Sequence, residues 1–553
     1  MTAPTFDHVV IGAGSAGGVL AARLSEDPTT SVLLVEAGGS HREPLIATPA
    51  GWGKAMYRER YAWCYESEPE PMAAGRRIKL PRGRVLGGSS SINGLLYVRG
   101  HRLDFDRWAE EGAQGWGWRE LLPYFVRSED QSRFVGSEHG RGGPLVAADL
   151  GEVHPLTRAM LEAAQQNGLP FRDDFNAGEN EGCGTPQVNI RDGRRRSIAV
   201  GAIEPALARS NLTLASGALV TRILLDSRRA VGVRYRQGGV DREARVHGEV
   251  LLCAGAINSP QLLMLSGIGP AQQLGRLGIG LHHALEGVGE NLHDHCVVPM
   301  TFRCRAGVRS LNEELFGWRM LRSVWRYLIR RRGVFASPAA EFTAYFRSEN
   351  SQPHADLQVY GLPITGDVEA TVARGADPRP ERFAGYTLAP NQLRPYSRGW
   401  VRLRSADPGE APAIRMNYLA DERDRRALLA GLRWLRRMAA QPALAGLTEV
   451  ETRPGPGVET DAAWLEYAAG HLSSGHHAVG SCRIGPAGDA RAVVDPELRV
   501  HGIERLRVAD ASVIPSITSG NTNAICVAIG EKCSDLVLGR SAPPLLELDA
   551  PSP

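Results

Sequence analysis

A glycine-rich segment near the N-terminus has the spacing of a phosphate-binding loop. The segment is a G-x-G-x-x-G pattern formed by Gly12, Ala13, Gly14, Ser15, Ala16 and Gly17. The first glycine of such a pattern permits a tight turn, the second lets the backbone approach a pyrophosphate, and the third allows close helix–strand packing. A helix that begins here offers free N–H groups and its positive dipole end to phosphate oxygens. The pattern therefore indicates dinucleotide binding.

The flanking residues supply the elements that must position this loop. Residues 7–11 form a short apolar run that predicts a strand, residues 15–24 carry an apolar helical face, and residues 31–35 predict a second buried strand. Glu36 ends that second strand, where a carboxylate can accept hydrogen bonds from ribose hydroxyls. The result is a βαβ unit, and by itself it does not distinguish NAD from FAD.

Two groups of histidines resemble metal ligands at first sight. They are His282 with His283, and His293 with His295 on either side of Asp294. No cysteine or carboxylate cluster completes either group at a standard ligand spacing. We therefore predict that the protein binds no metal.

Composition narrows the class of protein. A chain of 553 residues exceeds one ordinary core, so two domains are expected, and the net charge of +3 gives no reason to expect a nucleic-acid partner. No apolar run approaches the ~18 residues of a transmembrane span. Eight scattered cysteines without a C-x-x-C pair favour reduced thiols and a cytoplasmic location. Composition does not indicate an oligomeric state.

Two segments outside these motifs carry structural predictions. Residues 309–332 predict an amphipathic basic helix, which we interpret as having a solvated face, with peripheral membrane contact left open. Residues 366–382 are rich in Gly, Asp, Arg and Pro and predict a surface loop.

Four further segments, together with the N-terminal glycines, carry a family resemblance. They occupy residues 83–94, 255–269, 477–483 and 508–524. In composition and order the five segments resemble the glucose–methanol–choline (GMC) oxidoreductases, and within them most of all the branch of choline dehydrogenases and aliphatic alcohol dehydrogenases. The match spans almost the whole chain.

The resemblance implies an α/β fold of two interleaved domains. A discontinuous Rossmann-like FAD-binding domain would consist of residues 1–155, 195–300 and 480–545. A substrate-binding domain, built on an antiparallel sheet with helices, would consist of residues 156–194 and 301–479.

The resemblance also implies the residues that hold FAD. The pyrophosphate would lie at the glycine loop, the ribose at Glu36, and the adenine at the backbone of Val220. The complete predicted set is Gly12, Gly14, Ser15, Ala16, Gly17, Glu36, Ala37, Val85, Gly88, Ser89, Asn93, Gly94, Val220, Ala254, Gly255, Asp510, Ala511, Asn521 and Thr522. Some choline-oxidising relatives link a histidine covalently to the flavin, but this chain has Ile92 at that position, so non-covalent FAD is expected.

The catalytic residues implied by the resemblance are His477 and Asn521. His477 would take the hydroxyl proton of an alcohol, and Asn521 would orient the alcohol oxygen. Adjacent residues of an extended segment face opposite sides, so His476 is expected to face away from the flavin, although we also consider it for substrate contact. Glu341 falls where choline-oxidising members place a carboxylate against a quaternary ammonium group, which makes it a candidate substrate ligand.

The expected activity is the oxidation of a primary or secondary alcohol by hydride transfer to the flavin, with oxygen or a quinone-like molecule as electron acceptor. Three alternatives stay open at this point. A hydroxynitrile lyase would keep FAD without reducing it, a simple NAD-dependent dehydrogenase would be colourless, and a binding scaffold would have no use for His477 with Asn521.

Overall fold

The structure is a computed structural model that describes residues 3–367 and 379–546, with the side chain of Asp367 excepted. Most of the loop predicted for residues 366–382 lies outside the described residues. Only the short antiparallel strands at its two ends, Gly366–Asp367 and Arg379–Pro380, are described.

The first large sheet has seven strands and is mainly parallel around the N-terminal strand. The strand Thr5–Ile11 pairs in parallel with Val32–Glu36 on one side and with Val240–Leu252 on the other. Beyond these, Leu212–Ser216 and Leu506–Val508 add further parallel strands. An antiparallel branch is formed by Arg229–Gln237 and Ala218–Asp226.

The predicted βαβ unit is confirmed within this sheet. Its helix is Ser15–Leu24, and both of its strands carry fully buried valines and leucines because helices cover this sheet. The helix packs against the C-terminal helix Asn523–Leu538. The N-terminal and C-terminal parts of the chain therefore meet behind the glycine loop.

The second large sheet has eight strands and is antiparallel. Its path is Thr448–Arg453, Met300–Cys304, Gly385–Gln392, Leu357–Leu362, Phe342–Phe346 and Gly182–Gly184, with Cys296–Val297 joining Gly385–Gln392 to Ser473–Ser474. The long helix Glu422–Ala439 packs on the strand Gly385–Gln392 and buries its leucines there.

Shorter elements complete the fold. The paired short strands are Ala62–Glu66 with Lys79–Gly83, Leu96–Tyr97 with Gln187–Val188, Glu129–Gln131 with Leu145–Ala147, Ile190–Arg191 with Arg194–Arg195, Ile268–Gly269 with His283–Ala284, and Trp400–Arg402 with Ala413–Arg415. Among the described residues, the other α-helices are Pro44–Ala47, Trp52–Ala55, Arg102–Glu110, Trp118–Ser128, Pro155–Gln166, Glu204–Ala206, Gly255–Leu265, Ala271–Arg276, Gly317–Arg330, Pro442–Ala445 and Asp461–His471. Single 3₁₀ or π turns are Pro49–Gly51, Pro71–Ala73, Gly88–Ser91, Ala199–Ile203, Leu311–Leu315, Val334–Ala336 and Ala511–Val513.

The strands of the first sheet all come from the three segments predicted for the FAD-binding domain. The second sheet draws mainly on residues 301–479, and Gly182–Gly184 joins it from the segment 156–194. The predicted α/β fold with a Rossmann-like part and an antiparallel sheet is confirmed, while the domain boundaries themselves stay a prediction. Within the described ranges, no helix has the length and apolarity needed to cross a membrane.

Candidate active site

A cavity of about 550 Å³ lies between the two large sheets. Glu36 and Val220 line it from the first sheet, and Val297, Tyr360 and Ala389 line it from the second. Its wall has two chemically different parts. We call them the glycine part, around residues 12–17 and 36, and the histidine part, around residues 476–477 and 521.

In the glycine part the backbone approaches its neighbours too closely for side chains. Gly12 has φ of +98°, and a Cβ atom there would lie 2.5 Å from the Cys253 carbonyl oxygen. At Gly17 a Cβ would collide with the Gly12 carbonyl and lie 2.8 Å from the Cys253 Cβ. Gly14 differs, because the nearest atom to its Cβ position is the Gly88 Cα at 4.0 Å. The loop is thus closed on its protein side and open at Gly14.

The helix Ser15–Leu24 begins at this opening without a side-chain cap at Gly14. Its first N–H groups are the ones that a helix leaves without intrahelical partners. Together with the dipole they favour an anion at this place.

Glu36 is buried beside the loop. Its Oε2 accepts a hydrogen bond from the Ala13 N–H at 2.9 Å, and its Oε1 accepts one from the Gly38 N–H at 2.7 Å. Burial raises the pKa of Glu36 to about 7, against the lowering effect of these two donors. The carboxylate has lone pairs left to accept from a hydroxyl.

The histidine part centres on His477, which is hydrogen-bonded at both ring nitrogens. Its Nδ1 lies 2.9 Å from the Nδ1 of His295, and its Nε2 lies 2.9 Å from the Nδ2 of Asn521. The Nε2 of His295 lies 3.0 Å from the Leu393 carbonyl oxygen. Since a carbonyl only accepts, His295 must donate from Nε2 and accept at Nδ1 when it is neutral.

This chain of bonds assigns the tautomer of His477. Its Nδ1 must carry the hydrogen that His295 accepts, so its Nε2 presents a lone pair, to which the Asn521 amide donates. Burial, together with the neighbouring His295, lowers the pKa of His477 well below its usual value of 6.5. The ring is therefore neutral near pH 7 and able to accept a proton at Nε2.

Asp294 fixes the backbone of the segment that carries His476 and His477. Its Oδ1 accepts the His477 N–H at 2.7 Å, and its Oδ2 accepts from the Tyr418 hydroxyl at 2.6 Å and from Ser474. Ser474 in turn accepts the N–H of His476 at 2.8 Å. The backbone that carries both histidines is thus anchored to a buried carboxylate.

The sequence matches the family described as GMC oxidoreductase over residues 6–297 and again over residues 395–530. The chain belongs to the GMC oxidoreductases.

Relatives and solved structures agree with this assignment over nearly the full length. The chain is 40% identical over 535 residues to an oxygen-dependent choline dehydrogenase of Brucella canis, covering 97% of this chain and 96% of that one. It is 41% identical over 546 residues to the enzyme of the same name from Escherichia coli O127:H6, covering 98% and 96%. This GMC protein is an FAD-dependent alcohol oxidoreductase.

Two solved structures of oxidases superpose well. The pyridoxine 4-oxidase from Mesorbium loti shares 33% identity, with a TM-score of 0.86 over 97% of this chain and 100% of that one. The formate oxidase of Aspergillus oryzae RIB40, described in a study of FAD modification, shares 28% identity, with a TM-score of 0.90 over 98% and 99%.

The cavity brings together most of the residues predicted to hold FAD in this GMC protein. All of them line it except Gly17 and Val85. Gly17 packs the helix against the loop, as described above. Val85 is buried in a small apolar cluster with Ile46 and Met56. Their contact with FAD, like the contacts of the other predicted residues, stays a prediction.

The groups around the cavity fit FAD. The uncapped helix start at Gly14 suits the pyrophosphate, and the Glu36 carboxylate suits ribose hydroxyls. Gly88, with φ of +53°, packs closely against Gly14. A Cβ on Gly88 would lie 2.7 Å from the Gly14 Cα, so this close packing requires a glycine at position 88. In the histidine part, the Oδ1 of Asn521 is buried and lacks a hydrogen-bond partner among the described residues, as expected of a group that meets a bound molecule.

Arg82 lines the cavity but is not among the predicted site residues. Its Nη1 donates to the His476 carbonyl at 2.6 Å, while Nε and Nη2 are buried without partners in the described part of the chain. Burial lowers its pKa. Arg82 directly precedes the glycine-rich segment 83–94, and this adjacency was the available signal for a cofactor contact.

His295 was also missed as a functional residue, because the group of His293 and His295 was considered only as a possible metal site. The structure brings it to His477 from 182 positions away. Its neighbour His293 instead accepts the Ile517 N–H at 3.0 Å. Within residues 3–367 and 379–546, no group of three or more His, Cys, Asp or Glu residues is placed to hold a metal.

The premise for an outward orientation of His476 does not hold. His476 has φ of +64°, so the segment is not extended there and the alternation of faces does not apply. Both His476 and His477 line the cavity. Burial, assisted by the charge of Arg82, lowers the pKa of His476 to about 4.

Glu341 does not line this cavity. It lines a second one of about 1390 Å³, whereas its neighbour Ala340 lines the first. The Glu341 carboxylate accepts from the His154 N–H at 2.8 Å, from Thr157 at 3.0 Å and from Ser337 at 2.9 Å. These bonds anchor the start of the helix Pro155–Gln166, and a contact between Glu341 and a substrate stays untested.

Proposed function

We propose that the protein oxidises an uncharged primary or secondary alcohol to the carbonyl, with His477 as the base and FAD held without a covalent bond. The observation that carries the proposal is the bonding of His477 at both ring nitrogens, from which its tautomer was assigned above. In that tautomer the Nδ1–H is directed to His295, and the Nε2 lone pair is directed to Asn521 at the cavity.

The proton and the hydride of the alcohol leave separately. The hydroxyl proton passes to the Nε2 of His477, and the Asn521 amide, now released from that nitrogen, donates to the substrate oxygen as negative charge develops there. FAD supplies the acceptor, at N5, for the hydride from the carbinol carbon. The two electrons thus leave with the hydride, and the remaining C–O unit becomes a carbonyl.

The preference for an uncharged alcohol rests on the charges near His477. Arg82 is a cation beside the two histidines, and the nearby Asp294 carboxylate is already occupied by the three hydrogen bonds described above. Glu341 lies in the other cavity, where it accepts from its own three donors. A quaternary ammonium group would therefore meet a cation rather than a free carboxylate. His476 is the proposed substrate contact at this place, because it lines the cavity and its Nδ1 has no partner among described residues.

A matched pair of alcohols tests this preference. Choline and its uncharged isostere, in which carbon replaces nitrogen, have the same shape. We expect the isostere to bleach the flavin anaerobically at least as fast as choline does. Faster bleaching by choline at equal concentrations would contradict the charge argument, and failure of every alcohol in a panel to bleach the flavin would contradict the oxidation itself.

The cofactor attachment and the electron acceptor have separate tests. Because Ile92 cannot form a bond to the flavin, acid precipitation should leave yellow FAD in the supernatant, and colour kept in the washed pellet would contradict this. Either oxygen or a quinone-like molecule is proposed to reoxidise the flavin, with the dehydrogenase route favoured. Dye-linked turnover should then exceed peroxide formation, and peroxide formed with every turnover at the dye-assay rate would reverse the assignment.

A further inference from the structure

The helix Gly317–Arg330 presents an apolar face to solvent. We define this face as Trp318, Leu321, Trp325, Leu328 and Ile329, which follow helical spacing and lie on one side. Each of them is between 57% and 68% exposed. Single exposed apolar residues are ordinary, but a contiguous face with two tryptophans marks a surface that something covers.

Two polar residues of the same helix face the protein. Ser323 and Tyr327 are its buried positions, and Ser323 donates to Glu314 at 2.8 Å. Arg326 forms an ion pair with Glu152 at 2.8 Å. This is the reverse of an ordinary surface helix, in which the apolar side packs on the core. The helix does expose arginines, as expected of a solvated basic face, but its apolar residues are exposed as well, which the sequence did not indicate.

Basic side chains flank the helix. Arg322 borders the apolar face by helical spacing, whereas Arg330 ends the helix and Arg332 lies just beyond it. All three are exposed, line the rim of the second cavity and form no ion pair within residues 3–367 and 379–546. An exposed apolar strip with tryptophans, close to arginines that have no ion pair among the described residues, has the character of an interfacial helix at a membrane with anionic lipids. This positive charge favours an anionic lipid surface over an apolar protein surface.

We propose that the helix Gly317–Arg330 docks this protein onto anionic lipid bilayers. At fourteen residues the helix is roughly 21 Å long, so it lies in the plane of the headgroups rather than crossing the bilayer. The apolar face enters the boundary between headgroups and acyl chains, and Arg322, Arg330 and Arg332 meet lipid phosphates.

The helix connects directly to the wall of the active-site cavity. The chain continues from Arg330 through the turn Val334–Ala336 to Pro338, whose carbonyl accepts from the Trp52 indole at 2.9 Å. Trp52 and Ala340 both line the cavity. Docking would hold this side of the cavity next to the bilayer, where lipid-dissolved molecules are concentrated.

The test is co-sedimentation of the holoprotein with lipid vesicles. Vesicles of phosphatidylcholine alone are compared with an equal mixture of phosphatidylcholine and phosphatidylglycerol, at low and high salt. We expect binding to the mixed vesicles, and weaker binding at ~1 M salt, where the Debye length falls to about 3 Å.

Two pairs of variants separate the apolar and the charged contributions. Trp325→Glu with Leu328→Glu should abolish binding, while the matched control Val240→Glu with Leu281→Glu, also exposed, should not. Arg322→Glu with Arg330→Glu should weaken binding roughly 25-fold or more, since each arginine near an anionic surface contributes about fivefold. Its matched control is Arg222→Glu with Arg242→Glu.

Retained flavin absorbance and flavin reduction by an alcohol show that each variant is folded. Equal binding to both vesicle types, or equal losses in the helix variants and their controls, would overturn the proposal. If the wild-type protein does not bind vesicles and a helix variant lowers the oligomeric mass of the protein in solution, this face instead contacts a second copy of the chain.

Discussion

The two parts of the cavity are built in opposite ways. In the glycine part, backbone atoms of a contiguous loop form the surface, and Gly12, Gly14 and Gly17 act by lacking side chains. In the histidine part, side chains do the work, and His295, His477 and Asn521 come from three segments far apart in the chain.

The difference sets how each part responds to change. In a backbone cradle, an added side chain collides with the protein or occupies the space of the cofactor, so a substitution there changes whether the cofactor is held at all. A side-chain network tolerates substitution of its members one at a time, and its effect is on the rate of proton removal, because each bond fixes the orientation or tautomer of the next. Substitutions in the two parts should therefore separate cofactor content from reaction rate.

The largest effect is expected in the glycine part, for Gly14→Val. The protein itself leaves room for a Cβ at this position, since the nearest atom is 4.0 Å away, and the helix that follows is uncapped. The added side chain should therefore exclude the cofactor rather than unfold the chain. We expect the flavin absorbance per protein to fall by roughly tenfold or more, equivalent to at least about 1.4 kcal/mol of binding free energy. Gly275→Val, with no atom within 4 Å of its Cβ, is the control. Full flavin content in Gly14→Val would contradict the proposal that the pyrophosphate binds at this loop.

The next effect is expected for His477→Ala. Loss of the Nε2 base should slow flavin reduction by roughly 10²–10⁴-fold, while flavin content stays unchanged. His476→Ala should cost less, because its ring makes no hydrogen bond to Asn521 or His295 in the described structure. Anaerobic stopped-flow measurement of flavin reduction compares the two. If His476→Ala abolishes flavin reduction while His477→Ala reduces the flavin normally, His476 and not His477 is the base.

A smaller effect is expected for His295→Phe, which keeps an aromatic ring but removes the acceptor for the His477 Nδ1–H. His477 would then be free to adopt the other tautomer, with its hydrogen on Nε2, so reduction should slow by roughly 10–100-fold. His295→Asn offers a side-chain carbonyl as acceptor and should recover part of the rate. If Phe and Asn behave alike at every pH, His295 has only a packing role.

The smallest change is expected in the pH dependence of the wild-type enzyme. His477 must be neutral to accept a proton, and its pKa lies well below 6.5 because of burial. Lowering the pH through that pKa protonates the base and slows reduction, whereas above about 6.5 the ring is already neutral. The rate of flavin reduction should therefore be nearly level from neutral to mildly alkaline pH and fall only in acid. A midpoint above 7 would show that another group takes the proton.

Much of the fold could be predicted from local patterns. The glycine loop with its two strands appears at the predicted residues, because turn chemistry and short apolar runs act over a few neighbours. His476 shows the limit of such patterns. The expectation of alternating faces fails at a single left-handed residue, whose N–H bonds to Ser474, and Ser474 is in turn fixed by Asp294 from 180 positions away.

The amino-acid sequence by itself determined the dinucleotide loop, the family, and the candidates His477 and Asn521, because each is carried by a short contiguous motif. Only the tertiary structure decided that His295 orients His477, that Arg82 lines the cavity, and that Glu341 lies in another one. It alone revealed that the helix Gly317–Arg330 turns its apolar side outward. These facts depend on contacts between residues distant in sequence, and the periodicity of a helix shows that it has two faces without showing which one the protein covers.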